Sequence, residues 1–342
     1  MTEIRQRLSR HEDVMIDHER AQPRGRRRRL RGAAALSVLL LALGGALPAI
    51  AGEAGGRTFV SPERAADALA AAWRSGRASE ILQIFGPAGQ KLVTSGDPVA
   101  EKNARRRLAA AYDKRHRIDR DGAGEMILVI GDEDWPYPIP IMRQGSAWRF
   151  DVKAGAEQIL DRRIGADELN AIAVTRAYVE AQRDYAASDP MGRGLHDYAQ
   201  QVASTVGKHD GLFWPIAADG RESPLGPLVA AAEAKGYSPP PPTAGGRAPY
   251  EGYYFRILTG QGARAPGGAK TYVVGSHMTG GFALIAFPAK WGDSGIMTFV
   301  VNQNGIVFEK NLGPDTGRLA RQITLYDPDR SWKIASPTAP RP

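Results

Sequence analysis

The sequence of 342 residues contains no cysteine. This absence excludes disulfide bonds, thiolate metal sites and a cysteine nucleophile. Histidine is scarce as well, and only four follow residue 51, namely His116, His196, His209 and His277. No two of them have the i, i+4 spacing that places two imidazoles on one helix face, as zinc hydrolases use. We therefore predict no metal site and no cofactor, and a fold that depends on buried apolar side chains.

Net charge is also nearly absent from residues 52–342, although the whole chain carries a formal charge of +8. The first 51 residues hold ten Arg and five Asp or Glu, which leaves 35 basic and 32 acidic side chains in the rest. The densest basic segment, residues 102–120, alternates its charges with apolar residues at helical spacing. That alternation is typical of a solvated helix face, so we expect no nucleic-acid partner.

A strongly apolar segment lies near the N-terminus. Residues 24–32 read RGRRRRLRG, and an apolar run follows and ends in Ala49-Ile50-Ala51. These are the three parts of an export signal, so we predict cleavage after Ala51 and a periplasmic or secreted protein. Arg27-Arg28 with Leu30 also permits twin-arginine rather than general export. A retained membrane anchor is the alternative, because roughly 20 apolar residues span a bilayer.

An α+β lobe is predicted for residues 59–154. Ser61 as N-cap, Pro62 at the first position and Gly76 just past the end are the signals of one capped helix. A second helix is expected over residues 98–116. Three extended segments follow, EMILVIG, YPIPIMR and AWRFDV, and they predict a small antiparallel sheet.

A second α+β lobe, residues 155–334, is predicted to pack one long helix on an antiparallel meander. IGADELNAIAVTRAYVEAQRDYAASD has apolar residues at helical spacing and ends at Asp189-Pro190. A shorter helix in SPLGPLVAAAEAKGY precedes a proline-rich connector, residues 238–249. Five β runs follow, and Asn304-Gly305 predicts the hairpin between the last two. Residues 335–342 are expected to form a disordered tail.

Several long segments resemble the DUF2950 family of bacterial exported proteins. They include DEDWPYPIPIM, WRFDVKAGAEQILDRRIGADELNAI, FRILTGQGARAPGGAKTYVV and GGFALIAFPAKWGDSGIMTFVVNQNGIVFEKNLGPDT. The resemblance implies an envelope protein of unknown activity and carries over no catalytic residue. The second half is also similar to the globular part of pilins and pseudopilins, which pair a long helix with a meander. Residues 52–163 precede this helix here, so that similarity implies only a fold.

Aromatic and charged side chains are found in several segments rich in Gly and Pro, and binding groups often lie on loops. The candidate binding residues are Asp132, Asp134, Trp135, Tyr137, Trp214, His277 and Trp291. We hypothesise a non-enzymatic envelope protein that binds or helps to assemble an envelope protein or polymer. The alternative is a hydrolase of envelope polymers that uses carboxylates, such as those of residues 132–134, with a histidine. A cleft that joins a histidine to carboxylates from both lobes would favour the hydrolase.

The stretch DEDWPYPIPIM has proline at every second position, 136, 138 and 140. Trp135, Tyr137, Ile139 and Ile141 therefore share the opposite face of an extended chain. Proline has no N–H to donate, which excludes the stretch from the middle of a sheet. We predict that it lies at a sheet edge with its apolar side chains packed inward.

A second motif, Gly-Asp-Ser-Gly around Ser294, matches the nucleophile segment of chymotrypsin-like proteases. A serine nucleophile needs a histidine base and an orienting carboxylate supplied by the fold. In those proteases the histidine lies far upstream of the serine, whereas the nearest histidine here, His277, is only 17 residues before Ser294. We therefore expect this motif to form a turn between two strands.

Overall fold

The computed structural model describes residues 55–121, 124–216, 220–240 and 248–335. These residues all lie in one compact unit and form helices and antiparallel sheets around two hydrophobic cores. The predicted α+β class is therefore confirmed. The predicted leader, most of the proline-rich connector and nearly all of the predicted tail lie outside the described residues. Within the described ranges, no helix has the length and apolar character needed to span a bilayer.

The first part of the fold consists of helices followed by a small sheet. The first helix, α1 (Pro62–Ser75), begins after Ser61, whose hydroxyl accepts a hydrogen bond from the Arg64 N–H, and ends before Gly76, which has φ of 70°. Both predicted helices are confirmed, whereas two shorter helices between them were not predicted. The elements are α1 Pro62–Ser75, α2 Ala78–Phe85, α3 Gln90–Val93, α4 Pro98–Lys114, β1 His116–Asp121, β2 Glu125–Ile130, β3 Trp135–Pro136, β4 Ile141–Gln144 and β5 Ala147–Phe150.

The proline-rich stretch contributes to two separate strands, β3 and β4, and both of them pair with β2. The sheet order is β1-β2-β4-β5, and β3 also pairs with β2. Tyr137, Ile139 and Ile141 are buried in the first core, as predicted. Trp135 is half-buried, and Pro136 is exposed. Among the described strands β3 pairs only with β2, in agreement with the predicted edge position. The prediction is wrong for Ile141 and Met142, which lie in β4 between β2 and β5, because the chain after Pro140 has N–H groups to donate on both sides.

A single helix, α5, serves both cores. It runs over Val152–Ser188, so it begins 12 residues before the predicted helix. Its first turns pack Val152 and Ile159 against the first core, and its later turns place Ile172 and Tyr178 in the second core. Asp189, with φ of 40°, ends the helix as predicted. At about 1.5 Å per residue, α5 is on the order of 55 Å long.

Gly155 allows the first turn of α5 to lie directly on the proline-rich stretch. A Cβ at this position would lie 2.2 Å from the Pro138 carbonyl oxygen and 2.7 Å from the Ile139 nitrogen. We predict that Gly155→Ala lowers the free energy of unfolding by about 1–3 kcal/mol, because the helix must move off this backbone. That loss exceeds the roughly 1 kcal/mol that alanine adds in helix propensity. Urea unfolding followed by tryptophan fluorescence measures the change.

The matched control is Gly317→Ala in the short helix over Thr316–Gln322, where a Cβ would meet no atom within 4 Å. Here we expect a neutral or slightly stabilising change of up to about 1 kcal/mol. Equal effects of the two substitutions would show that close packing at Gly155 does not limit stability.

The second part of the fold is a five-stranded antiparallel meander. Its strands lie in the order Lys333–Ile334, Phe308–Asn311, Met297–Asn302, Ala283–Pro288 and Tyr253–Leu258. α5 packs on its central strands, where the Tyr178 hydroxyl donates to the Ala283 carbonyl at 3.2 Å. The elements are α6 Gly226–Ala234, β6 Tyr253–Leu258, β7 Gly260–Gln261, β8 Lys270–Thr271, β9 Val273–Val274, β10 His277–Met278, β11 Ala283–Pro288, β12 Met297–Asn302, β13 Phe308–Asn311, α7 Thr316–Gln322 and β14 Lys333–Ile334.

The predicted meander and its packing on the long helix are confirmed. Asn304-Gly305 lies in the loop that joins β12 to β13, where the Gly305 N–H donates to the Asn302 carbonyl at 2.9 Å. One predicted run, KTYVVGS, is divided between β8 and β9. These two short strands pair with β7 and β10 rather than with the large sheet.

Candidate functional site

An open cleft of about 1440 Å³, here called the central cleft, lies between α4, the 131–137 segment and α5. Apolar side chains of the first core, such as Trp73, Phe85 and Tyr137, form part of its wall. Seven Arg and Lys and five Asp and Glu side chains also line it. The charged lining residues are Arg105, Arg106, Arg107, Lys114, Arg162, Arg163, Lys235, Glu101, Asp132, Glu133, Asp167 and Glu251.

Asp167 is the most strongly perturbed acid in this lining. It lies on α5 and is only 8% exposed. Burial raises the pKa of Asp167 to about 8, against the attraction of Arg163, and the negative charge of Glu251 raises it further. Burial has this effect because it disfavours the charged form of a carboxyl. Asp167 is therefore largely protonated at neutral pH.

No hydrogen bond contributes to the pKa shift of the Asp167 carboxyl, which is set by burial and by neighbouring charges. Its Oδ2 lies against Gly252, where a Cβ would come within 2.5 Å of that oxygen. The next residue differs, because Glu168 Oε1 accepts hydrogen bonds from Ile296 N at 2.8 Å and Met297 N at 2.9 Å. Of two adjacent acids, one is thus fixed by the meander and the other lines the cleft with a raised pKa.

Asp97 is close enough to Asp167 for its charge to raise the pKa of Asp167, but it does not belong to the described lining of the central cleft. This fully buried residue is the N-cap of α4, and its Oδ1 accepts from Val99 N at 3.1 Å and Ala100 N at 3.0 Å. Its Oδ2 accepts from the Tyr237 hydroxyl at 3.0 Å and from Gly252 N at 2.9 Å. One carboxylate therefore joins the helix of the first part to the chain that enters β6.

Arg163 is held by backbone carbonyls rather than by an ion pair. Its guanidinium donates to the carbonyl oxygens of Lys91 at 2.6 Å, Leu92 at 3.3 Å and Asp293 at 2.8 Å. Burial lowers the pKa of Arg163, although Asp167 opposes this effect. Because all three guanidinium nitrogens of Arg163 donate to backbone carbonyls, the side chain of Arg163 is held in place beside Asp167.

Arg105 provides a polar group without a described partner. Its Nε is buried and makes no hydrogen bond to any described residue. Its Nη1 lies 4.0 Å from Glu101 Oε2. Glu101 Oε1 is itself occupied by Ser95 N at 2.6 Å and Gly96 N at 3.2 Å. The Arg105 Nε–H is thus a buried donor without a described partner, on a residue that lines the central cleft.

Three predicted site residues line the central cleft. Asp132 is exposed and forms an ion pair with Lys114. The Arg162 guanidinium lies 5.6 Å from the centre of the Trp135 ring, and Tyr137 is buried beneath this wall. Asp134 lies outside the lining.

Asp134 has φ of 51° and pairs with Arg117 and, at 3.5 Å, with Arg115. Asp134 thus lies in an exposed turn, where it forms both of these ion pairs. Its role in binding stays a prediction.

The other predicted site residues lie elsewhere and do not converge. Trp214 is buried, and its indole N–H donates to the Arg221 carbonyl at 3.1 Å. The Trp291 indole donates to Asn311 Oδ1 at 3.0 Å. His277 Nδ1 lies 2.9 Å from Asp197 Oδ2, a pairing that sequence did not indicate. No histidine is found in the described lining of the central cleft.

Ser294 forms a turn, as predicted. It is fully buried, and its hydroxyl accepts from Lys290 N at 3.0 Å and donates to the Lys290 carbonyl at 3.3 Å. Across the described ranges, no group of three His, Asp or Glu side chains is placed to hold a metal ion.

Asp167 and Arg163, whose pKa values are shifted by burial, were not singled out from the sequence. Arg162, Ala166 and Asn170 recur at i, i+4 and i+8, and Arg163 and Asp167 form a parallel i, i+4 pair. This stripe can be recognised in the sequence, because residues four apart share a helix face. It does not show that the stripe faces a cleft, since that depends on how α5 packs.

These features define an α+β protein with two cores and a charged cleft between a helical layer and a long shared helix. The chain belongs to the family described as "Protein of unknown function (DUF2950)", whose model matches residues 56–335. The predicted resemblance is therefore confirmed. No curated protein and no solved structure matches the chain, so the similarity to pilins stays a prediction.

Proposed function

We propose that this is an exported envelope protein that binds an extended ligand in the central cleft. The ligand is a segment of an envelope polymer or protein, and the protein does not catalyse a reaction of this ligand. The observation that supports this most is the buried Asp167 side chain in the wall of the cleft, whose carboxyl has a pKa raised to about 8. A buried acid that must protonate lowers the stability of the fold at neutral pH. Strongly perturbed acids of this kind cluster at functional sites.

The size and chemistry of the central cleft also favour an extended ligand. Pockets for small molecules usually hold about 300–1000 Å³, and the cleft is larger, at about 1440 Å³. Its donors and acceptors are spread along two helices instead of converging on one point. The ligand is therefore expected to lie along the cleft.

Site-specific photo-crosslinking tests this proposal. A photoreactive amino acid replaces Ala166, which is exposed in the lining, or Glu157, which is exposed on the opposite face of α5. After incubation with envelope extract and irradiation, we expect a discrete crosslinked product from position 166 and none from position 157. The same products from both positions, or none from either, would contradict binding in the cleft.

Export is a separate part of the proposal and rests on the basic and apolar segments before residue 52. We expect the protein in the periplasmic or secreted fraction, with Gly52 as its first residue in N-terminal sequencing. Replacing Ala49 and Ala51 with bulky residues should block processing. An intact N-terminus on protein held in the membrane fraction would instead support the anchor.

A hydrolase is the second candidate, because an acid that is protonated at neutral pH can act as a general acid. Asp167 has that property, and Asp132, Glu133 and Glu251 share its cleft. The histidine of the original hypothesis has no counterpart in the described lining. Prolonged incubation with polymer fragments distinguishes the two candidates, since a hydrolase shortens them and a binding protein leaves their length unchanged.

A further inference from the structure

Three exposed arginines of the central cleft come from two helices. Arg106 and Arg107 belong to α4, and Arg162 belongs to α5; all three are exposed and line the cleft. A guanidinium is planar and binds a carboxylate through two parallel hydrogen bonds. The rim of the cleft is therefore suited to anionic groups that are spaced along a ligand.

Carboxylates are interspersed with these cations, which restricts the kind of anion. Glu101, Asp132, Glu133 and Glu251 line the same cleft. A ligand with a phosphate at every residue would meet like charges along its whole length, which costs binding energy. Sugar hydroxyls have no such conflict, because a hydroxyl donates to a carboxylate and accepts from a guanidinium. The half-buried Trp135 adds an apolar surface for the C–H face of a sugar ring.

The Asp167 side chain is buried in the wall of the cleft, and its pKa is raised to about 8 by burial and by neighbouring negative charges. In its acid form, a carboxyl offers an O–H donor. The wall of the cleft at Asp167 is thus complementary to an acceptor oxygen.

We propose that the central cleft binds a strand of an acidic polysaccharide, whose carboxylates contact Arg106, Arg107 and Arg162 while one of its oxygens contacts the Asp167 carboxyl. This inference rests on the proposed function and gives its ligand a chemical class. It requires that Asp167 stays protonated in the complex.

The charges that face Asp167 set the pH dependence of binding. Arg163 and Glu168 face it from α5, Asp97 from the start of α4 and Glu251 from the segment before β6. Above pH 8, an ionised Asp167 repels a ligand carboxylate and no longer donates a hydrogen bond. Binding should therefore weaken as the pH rises through about 8, in addition to any effect of salt on the exposed arginines.

Isothermal titration calorimetry of the full chain with oligogalacturonate, at constant ionic strength, measures the affinity and tests the role of Asp167. Between pH 6 and pH 9 we expect the wild-type affinity to fall about tenfold, as the protonated fraction falls. Asp167→Asn keeps an N–H donor and cannot ionise, so its affinity should stay constant over this range. Asp161→Asn removes a carboxyl from an exposed position of α5 outside the lining and should keep the wild-type fall. Equal pH profiles for all three proteins would overturn the role of Asp167.

Two further arms test the ligand class. Arg162→Gln should weaken oligogalacturonate binding about tenfold, whereas Lys270→Gln, at an exposed position in β8, should leave it unchanged. Tight binding of the carboxyl-reduced oligosaccharide would exclude recognition of acidic sugars. Equal affinity for single-stranded DNA of the same charge would exclude a preference for polysaccharide.

The failure of this inference is distinguishable from failure of the proposed function. If oligogalacturonate does not bind while position 166 still crosslinks to envelope material, the ligand class is wrong and the cleft remains a binding site. If both experiments are negative, the proposed function itself is wrong.

Discussion

Asp97→Ala is expected to lower the free energy of unfolding by about 3–5 kcal/mol. The Asp97 carboxylate is fully buried and accepts four hydrogen bonds, from Val99, Ala100, Tyr237 and Gly252. Alanine removes the N-cap of α4 and leaves the Tyr237 hydroxyl and the Gly252 N–H buried without an acceptor. Urea unfolding followed by tryptophan fluorescence measures the loss.

Two matched variants make this prediction specific. Asp97→Asn keeps one acceptor oxygen but presents an amide donor to donors, so we expect an intermediate loss of about 1–3 kcal/mol. Asp315 precedes α7, is exposed and makes no capping hydrogen bond. Asp315→Ala should therefore change stability by no more than about 0.5 kcal/mol. A similar effect at both positions would show that Asp97 does not join the two parts of the fold.

Hydrogen exchange adds a local readout for the same variant. The Gly252 amide donates to Asp97 across 155 positions of the chain. In Asp97→Ala we expect faster exchange at Gly252 than in the wild type, because local opening no longer breaks a hydrogen bond to a carboxylate. Unchanged exchange at Gly252 would contradict the assigned role of this hydrogen bond.

Asp167→Asn is expected to raise the free energy of unfolding at neutral and higher pH, and to make that free energy less dependent on pH. Because the pKa of Asp167 rises from 3.8 to about 8 on folding, the folded state binds one more proton than the unfolded state between these values. The stabilisation by this proton is complete below about pH 4 and is lost as the pH rises through 8. The slope is about 1.4 kcal/mol per pH unit, so the penalty at pH 8 is on the order of 5 kcal/mol before local relaxation reduces it.

The measurement is the difference in unfolding free energy between wild type and Asp167→Asn from pH 4 to pH 9. We expect a small difference at pH 4 that grows in favour of the variant up to about pH 8 and is then constant. Asp161→Asn, the exposed control on the same helix, should give a nearly constant difference. Parallel curves for Asp167→Asn and wild type would show that Asp167 is ionised in the folded protein at neutral pH.

Local signals predicted much of the fold. The N-cap of α1, its terminal Gly76 and the end of α5 at Asp189-Pro190 depend only on neighbouring residues, and the structure confirms each. The start of α5 was missed, although its first turns place Val152, Ala156 and Ile159 at helical spacing against the first core. These turns are helical where Gly155 lies on the Pro138 backbone. That contact is between distant elements, and no local pattern encodes it.

The candidate site was predicted in part. Asp132, Trp135 and Tyr137 line the central cleft, whereas Trp214, His277 and Trp291 lie outside its described lining. The sequence singled out aromatics in loops, and only some of those loops meet at one place. Asp167 was not singled out, because an acid at an i, i+4 position of a charged helix has the same local pattern whether it is exposed or buried.

The sequence by itself determined the α+β class, the order of the main helices and strands, and the membership of the DUF2950 family, because these depend on local pattern and on long segments in order. Only the tertiary structure decided that Asp97 reaches Gly252 and that Asp167 is buried beside Glu251. The physical reason is that burial and the charges of distant residues set a carboxyl's pKa. Both are consequences of packing.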